Sequence, residues 1–569
     1  MFKPFTLTRR GALLAAAGAG AGLAACSEEV RFDPLPLPDG PFKHGVASGD
    51  PDQTSLVVWT AVTAEGDART TLDIATEETF NTIVETRDLA PRDGVIAVNG
   101  ARPMKALIEG LEPGREYFYR FHHGGEVSPV GKTRTLPDGP VDRFRIAAFS
   151  CSNYPFGFFN AYRDAANEGF DLMVHLGDYI YEYGHGGYGT EDAERLSRVP
   201  DPMHETLSEE DYARRHALYC SDPDLQAAKA AAPWILIWDD HETANDSWRY
   251  GAENHDPETE GDWFTRRDNA LRAYHDWLPV REAEPLKKRY GAVEIGDLAT
   301  LVFLETRLTA RSEELTLDSF PIDPASDPED PENRAAVQRW RDEVIGDPER
   351  RLLSEDQRAF VGGALAASVQ AGKPWRIIAN QVLMGRLEAP NYMTQTPLWL
   401  RAYMRLRGGF VWEFAQRTAH DVPMNLDSWD GFPADRERFY QTAREAGADF
   451  VVITGDTHNT WVNDLHDGQG NRVGTEFGVT SVTSPSPFEA VNAPGVDFGK
   501  MAEDRNREIL RNNAWDKGYT RLTLTRDELI AEQMILSTIK EREFAVRPDG
   551  VWRVRPANGG PVPQVEKIG

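Results

Sequence analysis

Cysteine is scarce: the 569 residues contain Cys26, Cys151 and Cys220 and no others. That excludes a disulfide framework as the source of stability, so a packed core, helped by metals where ligands allow, must supply it. A single bridge between Cys151 and Cys220 remains open in an oxidising compartment. Net positive charge is lacking too. With 62 basic against 91 acidic residues the formal charge is −29, which argues against nucleic acid as a bound partner. Such acidity is compatible with calcium affinity or with a salty environment and does not separate them. Long apolar runs are also missing. The stretch 12–25 is too short for a comfortable transmembrane helix, and no later stretch is apolar for long enough to span a bilayer. No internal repeats are visible. What remains is ordinary globular composition, 40% hydrophobic and 27% charged, with ample length for two domains and a large core.

Residues 1–25 read as a targeting segment. Thr8-Arg9-Arg10-Gly11 is a twin-arginine pattern, and Leu23-Ala24-Ala25-Cys26 resembles a bacterial lipoprotein cleavage site with Cys26 as the lipidated residue. A plain export signal cleaved near Ala25 is the alternative. The expected location is periplasmic or cell-surface, reached by the twin-arginine route, with membrane contact only through the lipid at Cys26. Residues 26–41, with Pro34, Pro36, Pro38 and Pro41, read as a stiffened tether.

Residues 42–138 show short alternating strands near 55–61, 70–75, 104–109, 115–123 and 130–135, with turns at Gly110, Pro113-Gly114 and Gly124-Gly125. The expectation is a small all-β sandwich of about seven strands, and 111–120 resembles a fibronectin-III turn and strand. His44 and Asp50 read as loop structure rather than ligands.

Residues 140–569 alternate apolar strands with Ala- and Arg-rich helical segments, an α/β pattern. Five apolar runs each end in polar, ligand-type residues. The run 144–149 leads to Cys151, and 170–176 leads through Gly177 to Asp178 and Tyr181. The run 232–238 leads to Asp239-Asp240-His241-Glu242, 375–379 to Asn380, and 450–454 to Asp456-Thr457-His458. Strand carboxyl ends are where α/β sheets place their ligands. One such end is a cap; five are hard to attribute to capping. Asp178 and Tyr181, three residues apart, form a carboxylate–phenol pair suited to a hard trivalent cation.

The order of these runs resembles the calcineurin-like metallophosphoesterases. Ser150-Cys151-Ser152, Gly177-Asp178-Tyr179-Ile180-Tyr181-Glu182-Tyr183, Trp238-Asp239-Asp240-His241-Glu242 and Gly455-Asp456-Thr457-His458 narrow the resemblance to PhoD-type alkaline phosphatases. The resemblance implies a four-layer α/β fold, two packed sheets flanked by helices, beside the N-terminal sandwich. It implies that Asp178 bridges two metals, that Cys151, Tyr181 and His458 complete a site for ferric iron, Fe(3+), and that Asp240, Asn380 and Asp456 hold Ca(2+). A further Ca(2+) is implied, with Asp239 and Glu242 as contributors. His241 is expected to steady the transition state or protonate the leaving group, with support of the ligand loop as its alternative, and Arg307 is a candidate to grip phosphate, with a surface ion pair as its alternative. The implied reaction is phosphoester hydrolysis on a small substrate by a monomer. A diester-cleaving phospholipase D-like enzyme and a non-enzymatic calcium-binding surface protein are the rival readings.

Three expectations concern the surroundings. The glycine-rich segment 184–206 should cover the site, with His185 a loop residue. Ser354 with Gln357 should form a capping box on a helix running to about 371. The strands near 519–525 and 530–535 should close a second sheet.

Overall fold

The computed structural model describes residues 39–569 except 64–67, 490–492, 494 and 558–563. The targeting segment, Cys26 and most of the tether lie outside the described residues.

The five ligand-bearing runs are all strands, and they divide between two sheets. Phe144–Phe149, Leu172–His175 and Trp234–Leu236 lie parallel in a ten-stranded sheet. Trp375–Ala379 and Phe450–Thr454 lie parallel in a seven-stranded one. Alternation along each strand explains the packing, because successive side chains point to opposite faces. Ile146, Ala148, Leu172 and Val174 of the first sheet meet Leu301, Ile377, Val451 and Ile453 of the second in one dry core. Each of these larger side chains contributes about 1.5–3 kcal/mol by leaving water. On the far side of the first sheet, Phe149, Met173 and Trp234 pack against residues of helices Asn160–Ala166, Glu209–Cys220 and Trp263–Trp277. On the far side of the second, Ile378, Phe450 and Val452 pack against Glu355–Gln370 and Pro433–Glu445.

The late strands Gly518–Leu524 and Leu529–Leu536 extend the first sheet, the former antiparallel to Phe144–Phe149, rather than closing a second. Ser354 does cap its helix, accepting from the Gln357 N–H at 3.1 Å. The box is not closed, because the Gln357 amide exchanges two bonds with the Glu305 backbone instead. Cys151 and Cys220 are both buried free thiols, so the disulfide left open by the sequence is not formed.

At the N-terminal end, Val46–Gly49, Leu56–Thr63 and Ala101–Ile108 continue the ten-stranded sheet and pack on a separate five-stranded one through Leu56, Val58, Ile74, Tyr117 and Phe121. Ile83–Leu89, which was not foreseen, is an edge strand of the five-stranded sheet with no buried face to betray it. Asp50 ties this region to the rest. It accepts both terminal nitrogens of Arg289 at 2.6 and 2.7 Å, and the Arg281 N–H at 2.7 Å. Both Asp50 and Arg289 are buried. Asp50→Ala leaves that guanidinium unpaired and should destabilise the protein by about 3–5 kcal/mol in denaturant titration, with turnover per folded molecule unchanged.

Candidate metal centre

The carboxyl ends of the two sets of parallel strands converge, and the ligand-type residues follow at once. The approach is closer than any side chain permits. A Cβ on Gly177, whose φ is +110°, would stand 2.4 Å from the Asp239 Cβ, and one on Gly455 would stand 2.0 Å from the Ser150 hydroxyl. Cys151, Asp178, Asp456 and His458 themselves hold left-handed backbone, with φ of +59°, +56°, +66° and +60°. Non-glycine residues enter that region at a cost of order 1–3 kcal/mol, and such strain gathers at functional sites.

Three overlapping groups form here. Ligand atoms of Cys151, Asp178 and His458 lie within 4.8 Å of one another, as do those of Asp178, Asp240 and His241, and of Asp239, Asp240 and Asp456. Asp178 and Asp240 are shared between groups. The Tyr181 hydroxyl joins the first, 3.0 Å from Asp178 Oδ2 and 3.2 Å from His458 Nε2. His458 is held by a carbonyl: the Pro485 oxygen, 2.7 Å away, can only accept, so Nδ1 carries the proton and Nε2 faces the site with its lone pair. Burial lowers its pKa to about 3, which keeps the ring neutral.

The oxygens show what is missing from this inventory. Asp178 Oδ1, Asp239 Oδ2, Asp240 Oδ1, Asn380 Oδ1 and both Asp456 oxygens are buried and have no hydrogen-bond partner among the described residues. The Asn380 amide nitrogen donates to Val382 O, turning its oxygen the other way. Unpaired buried carboxylates are strongly unfavourable without a cation. Thiol, phenol, imidazole and carboxylate on one side, and oxygens alone on the other, fit a two-metal centre.

Several neighbours position the ligands. Glu242, read from the sequence as a contributor to calcium binding, instead accepts the backbone N–H groups of Asp178, Tyr179 and Asp239 at 3.1, 2.5 and 2.8 Å. Its carboxylate thereby clamps two ligand loops together. His241 donates to Glu182 Oε2 at 2.7 Å, and its ring lies 4.2 Å from that of Tyr181. Burial works against charge on this imidazole, but Glu182, then Asp240 and Asp178, hold its pKa well above the ordinary histidine value.

Arg307 does not present a free fork. Its Nε bonds Asp239, and its terminal nitrogens grip Asp427 at 2.7 and 2.8 Å. The expected direct phosphate clamp does not fit that arrangement; Arg307 is a buried counter-charge, with Nη2 3.6 Å from Asp240 and 3.9 Å from Asp456. Arg311 joins it on Asp427. Tyr188, from the glycine-rich segment, bonds Pro485 O and His458 Nδ1, so that segment does cover the centre. His185 pairs with Glu194 instead. Asp427, Arg311, Glu182, Tyr188 and Ser484 were not singled out from the sequence. Only Glu182 carried a signal there, its place inside the Tyr181-Glu182-Tyr183 motif.

Two outcomes are expected. Gly177→Ala should lower metal content and turnover by roughly tenfold or more, whereas Gly363→Ala, a helical site open to a Cβ, should leave both intact; parallel metal analysis and rates check this. In the chelated protein, burial raises the Asp178 and Asp456 carboxyls well above their usual value. The metal-free fold then holds protons that the unfolded chain has released, so its stability falls as pH rises. Its melting temperature should drop between about pH 5 and about pH 8, with metal flattening the curve; a rise would contradict this.

Comparison with known proteins places the chain in a family. A family profile described as PhoD-like phosphatase matches residues 146–533, and one described as its N-terminal domain matches 29–137. Alkaline phosphatase D of Bacillus subtilis (strain 168) is 30% identical over 526 residues, covering 89% of this chain and 79% of that protein. A solved structure of PhoD superposes with a TM-score of 0.73 at 28% identity, covering 94% of each chain. The chain belongs to the PhoD-like phosphatase family and is a phosphoester hydrolase.

Proposed function

We propose that this protein is an alkaline phosphatase that hydrolyses small phosphomonoesters with a ferric iron and calcium ions, in a four-layer α/β domain. The reading rests above all on the orphaned oxygens of Asp178, Asp240, Asn380 and Asp456 beside Cys151, Tyr181 and His458. Thiolate and phenolate are good donors to Fe(3+), so Cys151, Asp178, Tyr181 and His458 would hold iron. Asp240, Asn380 and Asp456, with Asp178 between the sites and Asp239 alongside, would hold Ca(2+), which takes oxygen ligands. Bound there, the metals supply Lewis-acid polarisation of the phosphoryl oxygens and a water of lowered pKa.

The chain's own groups do the rest. The Glu182 carboxylate fixes His241 Nδ1 and favours the charged ring, which would offer Nε2–H as a donor beside Asp178 and Asp240. A donor there stabilises charge on the phosphoryl group or delivers the proton to the departing alkoxide. Arg307 adds fixed positive charge behind Asp239 and Asp240 without leaving its bond to Asp427. The acidic surface does not attract an anionic ester; local positive charge at the metals does. Export by the twin-arginine route and a lipid at Cys26 suit phosphate scavenging outside the cytoplasm, and the site needs no second copy of the chain.

The test is turnover of an aryl phosphomonoester and the matching diester, before and after calcium chelation. Chelation-sensitive monoester hydrolysis exceeding diester hydrolysis is expected. Faster diester cleavage would move the assignment to a phosphodiesterase. Glu182→Gln should lower kcat by roughly tenfold to a hundredfold with iron and calcium content retained; an unchanged kcat would remove His241 from the chemistry.

A further inference from the structure

The helical hairpin Leu398–Arg407 and Gly409–Arg417 departs from the rest of the surface in two independent respects. The first is apolar exposure. Leu398, Trp399 and Leu406 are 77%, 49% and 87% exposed, although large apolar side chains are mostly covered elsewhere in the fold. The inward face of the helix is already satisfied, since Leu400 and Met404 are buried with Tyr392 and Phe414. At 3.6 residues per turn, Leu398, Ala402 and Leu406, with Trp399 beside them, share the opposite face, while Tyr403 at its edge packs partly against the core. Arg401 and Arg405 border that face on one side and Arg407 on the other.

The second is charge. Between Glu388 and Glu413 there are three arginines and no acid, in a chain whose net charge is −29. Glu413 itself lies 3.6 Å from Arg417 on the same helix. At physiological ionic strength charges are screened beyond about 8 Å, so this local patch, not the net charge, governs what the hairpin attracts at contact.

An outward stripe of Leu and Trp rimmed by arginine matches a helix lying in the plane of an anionic lipid surface. The leucines enter the acyl boundary, the tryptophan ring sits at headgroup level, and the arginines reach lipid phosphates. A second copy of the chain suits the patch less well, because a two-fold contact of this face with itself sets arginine against arginine. No helix among the described residues is long and apolar enough to cross a membrane, so the contact is peripheral.

We propose that this hairpin docks the protein on anionic bilayer surfaces. The contact complements a lipid at Cys26, since an interfacial helix would hold the folded body against the surface to which the lipid tethers it. Aromatic packing runs from the hairpin toward the site. Phe414, Tyr392, Phe498 and Phe488 form a chain of ring contacts, at 6.2, 5.9 and 4.6 Å between successive centroids. That chain ends four residues from Ser484, which hydrogen-bonds Tyr181.

The experiment uses the mature chain with Cys26→Ser, so that no acyl chain contributes, and vesicles of phosphatidylcholine with or without phosphatidylglycerol. Co-sedimentation should show binding to the anionic vesicles and little to the neutral ones. Leu398→Gln/Trp399→Gln/Leu406→Gln should weaken binding roughly tenfold or more, and Arg405→Gln/Arg407→Gln should remove the preference for anionic lipid. Both variants should keep full turnover on a soluble monoester, which separates this inference from the catalytic reading. A parent protein that ignores anionic vesicles, or an apolar triple variant that binds as tightly as the parent, overturns the proposal. So does a dimer in sedimentation velocity that the triple variant dissociates, because the face would then be covered by a second copy.

Discussion

Where the two sheets meet, buried aspartates stand side by side with oxygens that no hydrogen bond satisfies. Taking one such carboxylate out of water costs several kcal/mol even after relaxation, and several together repel one another as well. On the proposed reading cations offset that cost, and the surroundings are arranged around the same constraint. Glycines at 177 and 455 let strand ends approach to distances a side chain would forbid. Four candidate ligands hold left-handed backbone to aim inward. Glu242 clamps two ligand loops by their N–H groups, and Arg307 with Arg311 neutralises part of the charge through Asp427.

The parts of this centre that were legible in the sequence are those written next to strands. Asp178, Asp240, Asn380 and Asp456 each follow a β-prone run, and a strand end is a place a reader can find. The period-2 alternation that sends Ile146 one way and Phe149 the other was equally visible. Which sheet a strand joins was not, because Tyr519 to Leu524 alternates the same way whether it pairs with Phe144–Phe149 or with a partner elsewhere. Asp427 was illegible for a different reason. It lies in a loop with no strand before it, and only its two guanidinium partners, 120 and 116 residues away in sequence, give it meaning. Arg307 was found but its partner was not, since a lone arginine after a strand looks the same whether it awaits phosphate or already holds a carboxylate. Gln357 shows the same limit on a smaller scale: the capping spacing was present, and a tertiary partner at Glu305 outcompeted it.

The periphery follows simpler physics. The N-terminal strands add to the edge of the ten-stranded sheet and are pinned by Asp50 on Arg289. The hairpin at Leu398–Arg417 instead leaves apolar side chains and arginines facing outward, as an interface with an anionic surface requires. On the two proposals above, cations would fill the interior and the basic, apolar hairpin would meet lipid, which together suit an enzyme working at a surface.

The central claim is that cations, iron among them, neutralise this interior. The most direct measurement is elemental analysis of the natively exported protein, with turnover followed through chelation and re-addition. The account predicts about one iron per chain and calcium besides, with activity lost on calcium removal and restored by calcium. Zinc or manganese without iron would contradict the roles given to Cys151 and Tyr181. A folded, fully active protein holding no metal would contradict the account as a whole.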